Sequence, residues 1–466
     1  MTTPARQLHV VFLPFMASGH TIPMLDIVRL FAARDHVTST VITTPYNAPN
    51  ITKSLENCKT GTNSTISIHI IPFPSHEPES GLKDGIENLD QVTSQDLYSK
   101  FVFSAQLLKN PVQRFLEETR PHCLVAAFFF PFATDIAAKL GIPRLDFHGT
   151  GFFPKCAMAV VQQYQPHNSV LSDTEVFTLP NLPHQVKLTR LQMSGAGSAD
   201  MARFIAVAAQ AGMKSYGEIF NSFYELEPDY VQYYRNVLKR KCWPIGPVSL
   251  GNRGKTVSDS EHKCLEWLDS KESNSVIYVC FGSTTKFSVP QLKEIALALE
   301  NSGKMFVWVV NKGKGEESED EERIQSRGII IRGWAPQVLI LEHRAVGGFV
   351  THCGWNSILE GISAGIPMVT WPVFAEQFYN EKLVTDILKI GVQVGSKKWN
   401  VMTEGTFLKS EEIEAALKRI MVGIEALEMR SRAKKLKDLA REAVERGGSS
   451  YRDLSSLIHE LRSRQP

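Results

Sequence analysis

Short apolar runs alternate with helix-period stretches along most of the chain. In the first half, the runs at 9–13, 40–44, 66–72, 123–129 and 144–147 read as strands. Amphipathic stretches from about 22, at 95–118 and at 133–140 read as the helices between them. Pro23 then falls in a first helical turn, where proline is tolerated. The run at 123–129 is almost continuously apolar, as expected of a strand covered on both faces of a parallel sheet. Patterning weakens over 165–191, which is rich in turn residues, and 193–200 reads as an exposed loop. A helix and a strand then lead to Trp243-Pro244-Ile245-Gly246-Pro247, and the polar, aperiodic residues 248–262 read as a linker.

The alternation restarts beyond that linker. Strands are predicted at 275–281, 306–310, 347–351 and 368–371, and helices at 291–301 and from 355. The charged run 312–322 reads as a solvated loop, and amphipathic helices follow 409. The expected fold class is therefore α/β, with two Rossmann-like doubly wound domains. Their predicted bounds are 1–247 and 263–448, with 449–466 as a separate terminal helix. A length of 466 residues suits two cores better than one.

Composition narrows the function. A net charge of +2, with no basic stripe, offers no electrostatic basis for a nucleic acid or membrane partner. No apolar run reaches the ~18 residues of a membrane span. The apolar run near the start is short and lacks a cleavage site, so it reads as a strand and not a signal peptide. The seven cysteines are scattered and form no CxxC, which points to a reduced, cytoplasmic protein. The thirteen histidines form no HxxxH or HExxH pattern and no DxD occurs, so no metal is expected. No GxGxxG follows the first strand, which argues against a dinucleotide cofactor.

The candidate chemistry concentrates at 334–377. His352-Cys353-Gly354 forms a turn between a strand and a helix beginning at Trp355, and such a helix N-terminus suits a phosphate. Gly354 permits close backbone approach, and Asn356 and Ser357 add donors. Glu360 lies one turn on from Asn356, placed to accept from ribose hydroxyls. Trp334 offers a flat face for a base, and Glu376 and Gln377 can hold a polyol. In the first half, His20 stands in Ser18-Gly19-His20-Thr21-Ile22-Pro23, on the expected turn between the first strand and its helix. A helix N-terminus disfavours imidazolium and keeps such a ring neutral and basic.

The 334–377 stretch closely resembles the plant secondary-product glycosyltransferase signature of family 1 UDP-dependent glycosyltransferases. Phrases such as SYGEIFNSFYELEPDY, WPIGPVSL and FAEQFYNEKL resemble the subgroup of triterpenoid (saponin) and flavonoid enzymes. The resemblance implies a GT-B fold, its two domains facing across a cleft and its last helix returning to the first domain. It implies inverting, metal-independent transfer of a hexose, with glucose the favoured sugar, from a UDP-sugar co-substrate to a hydroxyl or carboxyl of an apolar plant metabolite. It further implies a monomer with small-molecule partners and no cofactor. A triterpenoid is the first expectation for the acceptor and a flavonoid the second. By the same resemblance Ser283, Trp334, Ala335, Gln337, His352, Gly354, Asn356, Ser357 and Glu360 bind UDP. Thr150, Trp355, Glu376 and Gln377 meet the sugar, and His20 is the base.

One position departs from that family pattern. The aspartate expected to orient the histidine is replaced by Ala127. Three explanations stay open. The histidine works without a partner, another acid (Asp135, Asp146 or Asp26) substitutes, or the chain is an impaired UDP-sugar-binding protein. Phe128, Phe129, Phe130, Phe132, Phe152 and Phe153 form an aromatic region, mostly sheet core, whose remainder would suit a large apolar acceptor.

Overall fold

The computed structural model describes residues 6–464 apart from 57, 78–79, 194–197, 252–258, 311–323, 325 and 401–405. The chain divides into two compact units. One comprises Met1–Thr150, Ala196–Arg253 and Glu442–Pro466, the other Gly151–Gly195 and Gly254–Arg441.

In chain order the strands are β1 (Leu8–Leu13), β2 (Val37–Thr43), β3 (Thr65–Ile70), β4 (Cys123–Ala127), β5 (Arg144–Phe147), β6 (Val176–Leu179), β7 (Val186–Thr189), β8 (Gly217–Phe220) and β9 (Cys242–Pro244). They continue as β10 (Val276–Cys280), β11 (Met305–Val310), β12 (Gly328–Arg332), β13 (Val346–Thr351), β14 (Met368–Thr370) and β15 (Gly391–Gln393).

The first unit is built on a parallel sheet of order β3-β2-β1-β4-β5-β8-β9. Its central strands are largely apolar and buried: Val10, Val11 and Phe12 of β1 and all five residues of β4 are solvent-free. From β1 the chain crosses to β2 on one side; from β4 it crosses to β5 on the other. The order therefore reverses between β1 and β4, which makes their carboxyl ends the topological switch point where ligands of α/β sheets bind. Leu13 aligns with Ala126, so Ala127 lies beside the first residue to leave β1.

The second unit repeats this plan with a six-stranded parallel sheet, β12-β11-β10-β13-β14-β15, and carries the small antiparallel pair β6-β7. Its reversal falls between β10 and β13, where Cys280 aligns with Thr351. Ser283 follows one of these strands and His352 the other. Its core packs Ile277, Phe306, Trp308, Trp371 and Ile420 around the sheet.

Several elements differ from the pattern's prediction. The first helix is Ser18–Ala32, so His20 lies inside its first turn and Pro23 inside the helix rather than at its start. The backbone N–H groups of His20 and Thr21 both donate to the Ala17 carbonyl, at 2.9 and 2.8 Å, which begins the helix early. The strand at 123–129 ends at Ala127, because Phe130 N–H turns back to the Ala127 carbonyl. The helix expected over 95–118 is two, Gln95–Ser104 and Lys109–Thr119, joined by a 3₁₀ turn; Pro111 fits the first turn of the second, where its missing N–H has no helical partner. Residues Gly151–Gly195 pack with the second unit, whereas 1–247 is the predicted first domain. Within the predicted linker at 248–262, a 3₁₀ turn spans Val248–Gly251 and a helix begins at Asp259, while 252–258 lie outside the described residues. Residues 312–322 and 194–197 lie outside the described residues.

Candidate functional site

At the switch point of the first sheet, His20 stands in an aromatic setting. Its ring meets Phe15 and Phe129 edge-on, with centroids 5.8 and 5.4 Å away. Phe15 stacks on Phe129 at 4.4 Å, and Phe129 on Phe204 at 6.4 Å. His20 Nδ1 is buried with no hydrogen-bond partner among the described residues. A Cβ added to Gly149 would lie 3.4 Å from that nitrogen, so the backbone approaches it closely. Burial without a compensating charge pushes the His20 pKa down to about 4, and the ring is neutral at pH 7.

The three carboxylates named as substitutes stand elsewhere, two of them in ion pairs. Asp26 pairs with Arg29, which also reaches the Ser54 carbonyl. Asp135 is exposed on the helix Phe132–Leu140. Asp146 is buried in an ion pair with Arg144 at 2.7 Å. It aligns with Ala126, while Ala127 aligns with Phe147. Successive strand residues alternate faces, so Asp146 and Ala127 point to opposite sides of the sheet. A Cβ on Gly212 would come within 2.8 Å of Asp146 Oδ2, which places that carboxylate under the helix Ala199–Lys214. None of the three meets His20 Nδ1.

At the switch point of the second sheet, the turn after β13 is tightly built. Cys353 adopts the left-handed conformation with φ +65°, and Gly354 caps the helix Trp355–Ala364. The His352 ring fills the space between two glycines. A Cβ would come within 2.7 Å of it at Gly282 and 2.4 Å at Gly354. Neither position accepts a side chain without moving the ring. Burial pushes the His352 pKa down to about 4, so the ring serves as a neutral donor or acceptor and not as a cation.

Gln337 ties the first two turns of that helix together. Its Nε2 donates to Ser357 Oγ at 3.1 Å and to Glu360 Oε2 at 2.7 Å, and its Oε1 accepts from Tyr278 at 3.3 Å. Asn356 and Glu360 are half-buried, Ser357 is buried and Ser283 is exposed. Trp334 is 68% exposed, a free flat face in contrast to the other tryptophans of the unit, and the adjacent Ala335 is buried. Trp355 is 2% exposed, its ring packed on Gly151. The Gln377 carboxamide oxygen is already engaged: it accepts from the backbone N–H of Val373 and Phe374 at 2.8 and 2.9 Å. The polyol contact expected of Gln377 is thus confined to its amide nitrogen. Thr150, at the end of the first unit's opening segment, is buried and its Oγ1 lacks a hydrogen-bond partner among the described residues. Among those residues no three His, Cys, Asp or Glu side chains converge as a metal site would need, and no helix is long and apolar enough to cross a membrane.

Two polar residues passed over in the sequence lie behind this turn, in the phrase FAEQFYNEKL. Asn380 is fully buried, and Glu381 is 1% exposed with Thr370 Oγ1 donating to it at 2.8 Å. No local signal marks them, since Asn380-Glu381-Lys382 reads in the sequence as an ordinary polar run. Burial outweighs the Thr370 bond and pushes the Glu381 carboxyl up to about 8 from an ordinary 4.5. The folded form therefore holds this proton more tightly than the unfolded chain does. The associated stability is complete below pH 4.5 and is lost as pH rises through 8. Glu381→Gln is expected to remove a pH-dependent loss on the order of 5 kcal/mol. Thermal unfolding at pH 5 and 8.5 measures it: the wild-type Tm drops more than the variant's, and equal drops contradict the assignment.

Two doubly wound sheets, with a phosphate-type turn at the switch point of the second, define the GT-B class of nucleotide-sugar transferases. Residues 227–427 match the family described as UDP-glucoronosyl and UDP-glucosyl transferase. UDP-glucosyl transferase 73M2 of Saponaria officinalis is 56% identical over 99% of this chain and 98% of its own length. UDP-glucose flavonoid 3-O-glucosyltransferase 7 of Fragaria ananassa is 50% identical, over 99% of this chain and 97% of its own. The crystal structure of Glycyrrhiza uralensis UGT73P12 complexed with glycyrrhetinic acid 3-O-monoglucuronide superposes with a TM-score of 0.89 at 43% identity, covering 98% of this chain and 96% of the other. The chain belongs to this family and is a UDP-glycosyltransferase.

Proposed function

We propose that the enzyme transfers glucose from UDP-glucose, with inversion and without a metal, to a hydroxyl or carboxyl of an apolar plant metabolite, a triterpenoid aglycone or monoglycoside first among them. His20 takes the acceptor proton on Nε2 while the acceptor oxygen attacks the anomeric carbon and UDP departs from the opposite side. The oxygen–carbon bond forms as the bond to the diphosphate breaks, and the proton rests on the imidazole. Trp334 stacks on uracil, with Ala335 and Gln337 beside it. Glu360 holds the ribose. Ser283, His352, Gly354, Asn356, Ser357 and the helix N-terminus receive the diphosphate charge. Thr150, Trp355, Glu376 and the Gln377 amide contact the hexose.

The observation that carries this reading is the turn at the second switch point. There a neutral buried His352 is clamped between Gly282 and Gly354 at a helix N-terminus. The donor preference draws on the relatives named as glucosyltransferases. Support for a triterpenoid comes from the glycyrrhetinic acid derivative in the Glycyrrhiza enzyme and from the aromatic cluster of Phe15, Phe129 and Phe204 beside His20. The strawberry relative supports a flavonoid as the second acceptor class.

The His20 Nδ1, without a hydrogen-bond partner among the described residues, favours one rival, a protein that binds UDP-sugar and transfers it poorly or not at all. Incubation with UDP-glucose and a panel of triterpenoids and flavonoids, with products read by mass spectrometry, separates the two. A triterpenoid glucoside is expected; UDP binding with no glycoside from any acceptor favours the rival.

A further inference from the structure

Asn380 sits in the helix Gln377–Lys382 with no exposure to solvent. Its Nδ2 makes two hydrogen bonds, to the Cys353 carbonyl at 2.9 Å and to Glu376 Oε1 at 3.2 Å. Its Oδ1 is buried and has no hydrogen-bond partner among the described residues. A buried amide that forgoes half its bonding capacity is costly, and both bonds it makes end at the donor site. Cys353 is the left-handed residue of the phosphate-type turn, and Ala375, just before Glu376, is left-handed too, at φ +52°. Two backbone segments in a disfavoured conformation are thus joined through one side chain.

We propose that Asn380 is a positioning residue for the sugar donor: it ties the Glu376 carboxylate to the carbonyl of the diphosphate turn, fixing the sugar contact relative to the phosphate contact. This rests on the proposed role of Glu376 at the hexose. A glutamate side chain has several rotamers and rotates about its last bond, and the Asn380 amide restrains this one at Oε1. A donor held at one oxygen fixes the plane of the group before substrate arrives, which removes an ordering cost from binding. Asn380 itself touches no substrate, so its removal affects the hexose far more than UDP.

Calorimetric titration of the full chain with UDP and with UDP-glucose, UDP-galactose and UDP-glucuronic acid tests this in the wild type, Asn380→Ala, Glu376→Gln and the double variant. Asn380→Leu, of the same branched shape and without the amide, serves where the alanine variant folds poorly. Asn380→Ala is expected to weaken the preferred UDP-sugar about tenfold and UDP by less than about threefold, the size of one lost hydrogen bond. The double variant is expected to bind the sugar within about twofold of Glu376→Gln alone, because the two residues act as a unit. Equal weakening of UDP and UDP-sugar, additive losses in the double variant, or no change in either Asn380 variant overturns the proposal. Wild-type protein that binds UDP but no UDP-sugar overturns the donor reading along with it. Normal wild-type binding with indifferent Asn380 variants overturns the Asn380 role alone.

Discussion

His20→Ala is expected to lower kcat by about 10²- to 10⁴-fold, the range a positioned general base supplies, while the affinity for UDP stays as in the wild type. The loss follows from location and chemistry together. His20 is the one histidine in the first turn of the helix that leaves the first sheet's switch point. Its ring is neutral at pH 7, so it has a lone pair to offer. The phosphate-type turn belongs to the other unit and does not depend on His20. Steady-state turnover with a saturating acceptor, alongside a UDP titration, reads the two quantities separately. A variant that keeps its turnover removes His20 from the chemistry.

Ala127→Asp is expected to raise kcat by about tenfold or more, a part of the same general-base range, and to leave the donor KM almost unchanged. Ala127 closes β4, beside the residue that follows Leu13 of β1, and is fully buried. His20 Nδ1 is a buried nitrogen with no hydrogen-bond partner among the described residues. A carboxylate facing it would orient the ring, fix the tautomer with the lone pair on Nε2 and stabilise the imidazolium formed as the acceptor proton leaves. The isolated ring with its depressed pKa is a weak base; a nearby negative charge makes it a stronger one. In a His20→Ala background the same aspartate would be buried unpaired, so the double variant should melt below His20→Ala alone. Normal folding of Ala127→Asp with no gain in turnover contradicts this account.

The two parallel sheets were legible because their strands are apolar runs and their helices amphipathic, the strongest local signals a sequence carries. β1, β5, β11, β13 and β14 fall within a residue or two of their predicted runs. The short edge strand β15 was not legible, since three residues are too few for any period to show. The assignment of Gly151–Gly195 to the second unit depends on tertiary packing, and no local pattern records it. At the second switch point, His352, Gly354 and Ser357 were readable from their order along the chain. The role of Gln337 as a bridge between Ser357 and Glu360 was not, since it joins residues 20 and 23 positions away. Ala127 was conspicuous only as a missing carboxylate. That Asp146 cannot replace it follows from strand register and from its buried bond to Arg144.

The proposed base, His20, is a neutral ring whose buried Nδ1 has no hydrogen-bond partner among the described residues, and its protonation can be followed directly. Histidine-labelled protein, with the His20 signal assigned by its loss in His20→Ala, can be titrated by NMR in the wild type and in Ala127→Asp. The wild-type ring is expected to stay neutral down to pH 5, in line with a pKa near 4. In Ala127→Asp the midpoint is expected to rise by about one unit or more, the effect of one adjacent carboxylate. A wild-type His20 that titrates at its ordinary 6.5, or a midpoint that the aspartate leaves unmoved, would contradict the account.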